Sequence, residues 1–132
     1  LIRDLNTLKY STTPYNVNRM TAAAGIAALR EDAYYKANAC TVMENRSFTA
    51  SALRSLGFFV TESKANFLFA RSPEIDGGTL YRKLKERGIL VRHFEKPRIA
   101  DYVRITIGTR EQMEALLQET KAILEEETAW NG

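Results

Sequence analysis

The sequence predicts an α+β domain: a mixed or antiparallel sheet with helices packed over one face, preceded by connecting helices. Three observations predict it. Two apolar runs rich in β-branched residues, Ile89-Leu90-Val91-Arg92-His93-Phe94 and Tyr102-Val103-Arg104-Ile105-Thr106-Ile107-Gly108-Thr109, have the pattern of buried strands. The expected elements run helices, two strands, helix, strand, strand, helix, with no internal repeat. The composition, 45% hydrophobic and 27% charged over 132 residues, is that of one globular domain with a real core.

Each element has its own signal. Residues 1–9 read as a short helix, with Leu1, Leu5 and Leu8 at helical spacing. Because this periodicity begins at the first residue, the start reads as a cut through a longer polypeptide. Ser11-Thr12-Thr13-Pro14-Tyr15-Asn16 reads as a loop, since Pro14 pushes Thr13 towards an extended conformation. Asn18 can cap a helix through residues 20–29. Gly25 costs that helix about 1 kcal/mol, so a close approach to another element is the expected reason for it. A long charged helix spans about residues 31–55 and ends at the Gly57 cap. Phe58-Phe59-Val60-Thr61 and Asn66-Phe67-Leu68-Phe69-Ala70 read as strands. Asp76-Gly77-Gly78 reads as a turn into a helix with Leu80 and Leu84 on one face, ended by Gly88. The two arginine-bearing strands are expected over 89–94 and 102–108. In the last helix Met113, Leu116, Leu117 and Leu124 form the apolar stripe. Glu125-Glu126-Glu127 puts negative charge at that helix's C-terminus, where the dipole disfavours it, so fraying is expected.

The bulk numbers narrow the function. The net charge of +3 is too weak to imply nucleic acid, and no Lys/Arg run exceeds two residues. There is no apolar run of about 18 residues to span a membrane. No basic segment followed by an apolar core marks a signal peptide. The single Cys40 excludes an internal disulfide and fits a reducing cytoplasm. One Cys and one His cannot build a Cys/His metal site.

Arg92 and Arg104 carry the chemistry. A guanidinium within an apolar strand keeps its proton, so its charge must be met by an acid or an anionic ligand. In strict alternation Arg104, Thr106 and Gly108 share one face, and Val103, Ile105 and Ile107 share the other. The polar face suits either a site or solvent. Two cations on adjacent strands would suit a small molecule with two anionic ends. Arg92 and His93 point to opposite faces. His93 could act as a base, though a lone His is more often structural. Asn66 could donate to a ligand or cap the backbone. Tyr15 and Asn16 could touch a ligand from their loop, where Asn usually stabilises a turn. No Gly-rich phosphate loop, nucleophile signature or cofactor-anchoring lysine motif is visible. The residues therefore read as a ligand-contributing domain with no catalytic residue of its own.

Several segments resemble the C-terminal part of the histidinol-phosphate aminotransferase family, a branch of the fold-type I aminotransferases. They are Ser63-Lys64-Ala65-Asn66-Phe67-Leu68-Phe69, Gly88-Ile89-Leu90-Val91-Arg92 and Arg104-Ile105-Thr106-Ile107-Gly108-Thr109, with Pro14-Tyr15-Asn16-Val17-Asn18 ahead of the Ala-rich helix. The resemblance implies a small C-terminal domain over residues 31–132, preceded over 1–30 by helices that contact a large domain. It implies a pyridoxal-phosphate enzyme of histidine biosynthesis, cytoplasmic and homodimeric in its full-length form, that moves an amino group between histidinol phosphate and 2-oxoglutarate. Arg104 would bind the carboxylate of the amino-acid partner, and Arg92 would lie near the phosphate or second anionic group. The cofactor lysine and phosphate cup would precede Leu1, so the resemblance implies no cofactor bound by this chain alone and no activity alone. Two alternatives stay open. One is another fold-type I enzyme, an aromatic or broad-specificity aminotransferase or a decarboxylase. The other is a free-standing α+β module that binds anions or a protein.

Overall fold

The computed structural model describes residues 1–12 and 15–130. Thr13 and Pro14, on which the expected loop turns, lie outside the described residues. The chain divides into two compact units, Leu1–Ala37 and Asn38–Gly132.

The first unit holds α1 (Ile2–Thr12), α2 (Arg19–Arg30) and the first turns of α3 (Asp32–Ser55). Helix α1 runs past the expected end into Ser11 and Thr12. The Thr12 hydroxyl donates to Leu8 O at 2.5 Å and Thr7 donates to Arg3 O at 3.0 Å, which lets these loop-favouring side chains stay helical. Asn18 caps α2 as expected, its Oδ1 accepting from Thr21 N at 2.8 Å. The helix breaks at Glu31, whose N–H donates to Ala27 O and Ala28 O. Neither α1 nor α2 contains a buried residue. The close approach expected at Gly25 is not found: a Cβ there would meet nothing within 4 Å.

The second unit is built on a four-stranded sheet of β1 (Phe59–Val60), β2 (Phe67–Arg71), β3 (Arg92–His93) and β4 (Val103–Thr106). The order is β1-β2-β4-β3, and every pair is antiparallel. Val60, Leu68, Ala70, Val103 and Ile105 share one face, where they form the core with α3, α4 (Gly77–Glu86) and α5 (Arg110–Trp130). Leu53 of α3, Leu80 and Leu84 of α4 and Ile123 of α5 are fully buried there. The helices thus cover one face of the sheet, as the sequence implies.

Both helix-ending glycines behave as expected. Gly57 (φ +85°) and Gly88 (φ +78°) lie in the left-handed region. The next N–H in each case, Phe58 or Ile89, closes back onto Leu53 O or Leu84 O. This closure shortens β3. The Ile89 N–H is committed to capping α4, and Lys96 N turns back onto Phe94 O, so only Arg92–His93 remain free to pair. Likewise Tyr102 N donates to Ile99 O in a turn, and β4 starts at Val103.

Two further expectations need correction. Gly77 and Gly78 are the first residues of α4 rather than a turn before it, because Asp76 acts as the N-cap and accepts from Thr79 N at 2.9 Å. Gly77 is needed for packing: a Cβ there would come within 2.7 Å of Ala100 O and of Asp101 C. The acidic end of α5 continues as helix to Trp130. Its charge is met from α4 and its C-cap, where Lys83 Nζ lies 2.5 Å from Glu127 and the fork of the C-cap residue Arg87 lies 2.9 Å from Glu119 and 2.6 Å from Glu126. The inward stripe of α5 is Met113, Leu116, Thr120 and Ile123, with Leu117 and Leu124 at its margin.

Candidate functional site

The site lies on the face of the sheet opposite the helices. The register pairs Phe69 with Arg104 and Arg104 with Arg92, so these three residues form a row across β2, β4 and β3. Directly opposed residues share a face, with Cβ atoms about 5 Å apart. Two like charges so placed repel each other unless something neutralises them. Among the described residues neither guanidinium is in an ion pair. Arg104 Nε is buried with no hydrogen-bond partner among the described residues. The row can therefore receive an anion, and a guanidinium fork matches a carboxylate or a phosphate.

Aromatic rings hold these cations up. The Arg104 guanidinium lies 5.3 Å from the centre of the Phe67 ring, and that of Arg92 lies 4.9 Å from Phe94. Phe69 and Tyr102 stack with centroids 4.5 Å apart. Arg71 sits between Phe59 (5.3 Å) and Tyr102 (5.9 Å). Sequence reasoning missed this aromatic floor. The signal was present in Phe67-Leu68-Phe69-Ala70-Arg71, where alternation sends Phe67, Phe69 and Arg71 to one face and Leu68 and Ala70 to the core.

The other candidates lie elsewhere. His93 faces the helix side of the sheet, where it stacks on Tyr81 of α4 and its Nε2 is 2.7 Å from Ala100 O. That bond and that ring hold the imidazole in place and fit a structural side chain. Asn66 lies one residue ahead of β2; it is exposed, and its carbonyl accepts from Ile107 N at 2.9 Å. Tyr15 and Asn16 are exposed and belong to the first unit. No group of three metal-binding side chains occurs among the described residues, and no helix there is long and apolar enough to cross a membrane.

Comparison with known proteins points in one direction. The sequence model of the family described as aminotransferase class I and II matches residues 5–119. The chain is 41% identical over 124 residues to a histidinol-phosphate aminotransferase of Brachyspira hyodysenteriae, covering 94% of this chain and 35% of that protein. It superimposes with a TM-score of 0.78 on the histidinol-phosphate aminotransferase of Clostridium acetobutylicum, at 24% identity over 90% of this chain and 37% of that one. A decarboxylase from Sulfurospirillum multivorans gives a TM-score of 0.74 at 24% identity over 92% of this chain and 36% of that one. The two structural likenesses show a shared fold. The chain spans about a third of the length of the curated relatives it matches.

Proposed function

The chain belongs to the aminotransferase class I and II family, and we propose that it is the C-terminal small domain of a histidinol-phosphate:2-oxoglutarate aminotransferase. The observation that carries this reading is the row of Arg92 and Arg104, directly opposed and without an acid among the described residues. Histidinol phosphate and 2-oxoglutarate both present anionic groups to such a row. Arg104 holds the carboxylate, Arg92 the phosphate or second carboxylate, and Asn66 a polar group at the end of β2. The identity to curated histidinol-phosphate aminotransferases supports this choice over other reactions that share the fold.

Aminotransferases of this family use pyridoxal phosphate, which supplies the electron sink for amino-group transfer. The described residues do not fit a site for it. Every lysine is exposed except Lys83, and Lys83 is paired with Glu126 and Glu127. The work assigned to this chain is anion binding and positioning, with closure over the substrate against a large domain that holds the cofactor. The exposed apolar residues of α1 and α2, Met20 and Leu29 among them, are the surface for that large domain. The complete enzyme works as a cytoplasmic homodimer.

The test is a transamination assay with added pyridoxal phosphate, on this chain alone and mixed with a separately expressed large domain. Activity only in the mixture supports the reading. Activity of the chain alone refutes the placement of the cofactor lysine. No activity in the mixture, beside an active full-length control, favours a free-standing anion-binding module. Relative rates of the full-length enzyme on histidinol phosphate and phenylalanine separate this specificity from an aromatic one.

A further inference from the structure

A second cationic site lies on the helix side of the sheet. Between α3 and the loop that joins β1 to β2 is a cleft of about 580 Å³, lined by Arg46, Arg54, Glu62 and Lys64 with Ser47 and Ser63. Leu68 also lines it and belongs to the helix-covered face, so this cleft and the Arg92–Arg104 row lie on opposite faces. Arg46, Ala50 and Arg54 lie at helical spacing on one face of α3, which brings its two cations to one side.

Each arginine is only partly used by the fold. Arg46 is half-buried and donates through Nη1 to Ala65 O at 2.7 Å. Arg54 donates through Nη2 to Val60 O at 3.2 Å. These bonds hold the loop and leave the other N–H groups of both forks without a partner among the described residues. None of the three cations is in an ion pair there, although Glu62 is in the same cleft. The contrast with α4 and α5 is direct, because there Lys83 and Arg87 are each matched by glutamates. Arg46 is half-buried while Arg54 and Lys64 are exposed, so the three form the open mouth of the cleft, and no acid pairs with them among the described residues. Guanidinium forks so placed match an external oxyanion. We infer that this cleft binds a phosphate-type oxyanion, held by the free N–H groups of Arg46 and Arg54 and capped by Lys64.

The experiment is an NMR titration of the isotope-labelled full chain with inorganic phosphate at constant ionic strength. It follows the side-chain signals of Arg46, Arg54 and Lys64. Saturable shifts at these three are expected, with about tenfold weaker binding in both Arg54→Gln and Lys64→Gln. Arg46→Gln and Arg54→Gln each also remove a bond that holds the loop, so Lys64→Gln is the primary variant: Lys64 is exposed and its replacement leaves the fold intact. Arg92→Gln leaves this saturation unchanged. A parallel titration with glycerol 3-phosphate distinguishes the source: tighter binding marks a phosphate ester, equal binding the free anion, and both support the site. Shifts that never saturate overturn it. So does saturation that survives Arg54→Gln and Lys64→Gln together, or shifts confined to Arg92 and Arg104.

Discussion

Replacing Arg104 by alanine separates binding from folding. On the binding side, the proposed role of Arg104 means that the full-length enzyme loses a fork for the carboxylate of 2-oxoglutarate. Removing one partner of a desolvated charge pair costs about 2–5 kcal/mol, which is roughly 30-fold to a few thousand-fold in kcat/KM for that substrate. Histidinol phosphate carries an alcohol where an amino acid carries its carboxylate, so its half-reaction changes much less. On the folding side, the substitution removes an N–H that is buried without a partner and a charge opposed to Arg92, and both removals relieve the fold. It also removes the contact over Phe67 at 5.3 Å, worth about 0.5–1 kcal/mol. These contributions oppose each other, so stability moves by no more than about 1 kcal/mol. The assays are single-turnover kinetics on each substrate and urea unfolding of the variant. Equal losses on both substrates would refute the assignment of Arg104 to the carboxylate. A stability loss above about 2 kcal/mol would show that Arg104 is a structural residue.

Three further outcomes can be checked on the chain by itself. Leu53→Ala empties a fully buried position where α3 meets the sheet and should cost about 3–4 kcal/mol in urea unfolding; a change below about 1 kcal/mol would contradict this core. Gly77→Ala forces the start of α4 off the Ala100–Asp101 backbone and should cost about 1–3 kcal/mol, whereas Gly25→Ala, in open space, should raise helix content; thermal melts and circular dichroism decide both. Hydrogen bonds from the Thr79 hydroxyl and then the Thr79 backbone hold the Asp76 carboxyl below its ordinary value. Its contribution to stability is therefore complete above about pH 4 and is lost as pH falls through the depressed value. Asp76→Asn should flatten the acid limb of the melting curve, and superimposable limbs for the two proteins would rule this out.

What the sequence made legible was local. The Asn18 cap, the glycine stops at 57 and 88 and the buried face of Val103, Ile105 and Ile107 all come from short-range rules, and all are found. The row of Arg92 and Arg104 was legible only as two cations on neighbouring strands. Their direct opposition depends on register, which is set by residues far apart in the chain. Long-range partners also explain the misses. The acid run of α5 was read from the helix dipole alone, and what overrides the dipole is Lys83 of α4 and Arg87 at its C-cap, reaching across. Gly77 reads as turn punctuation until the Ala100–Asp101 backbone is seen lying against it. The aromatic floor could have been read from alternation in β2, but which rings lie beneath which guanidinium is fixed only when β4 pairs with it.

The absence of any buried residue in α1 and α2 has a kinetic counterpart. Helices of 11 and 12 residues are marginal in water without packing. Their amides should exchange with deuterium almost as fast as those of an open peptide, while amides beside Leu68 and Ile105 wait for the sheet itself to open. Proteases should track the same gradient, cutting ahead of Asn38 and sparing the second unit. A macromolecule that settles over Met20, Ile26 and Leu29 would slow both processes there and leave the sheet's rates where they were. Deuterium uptake over residues 2–30 is thus a clock for occupancy of that face, with the sheet of the same molecule as its internal standard.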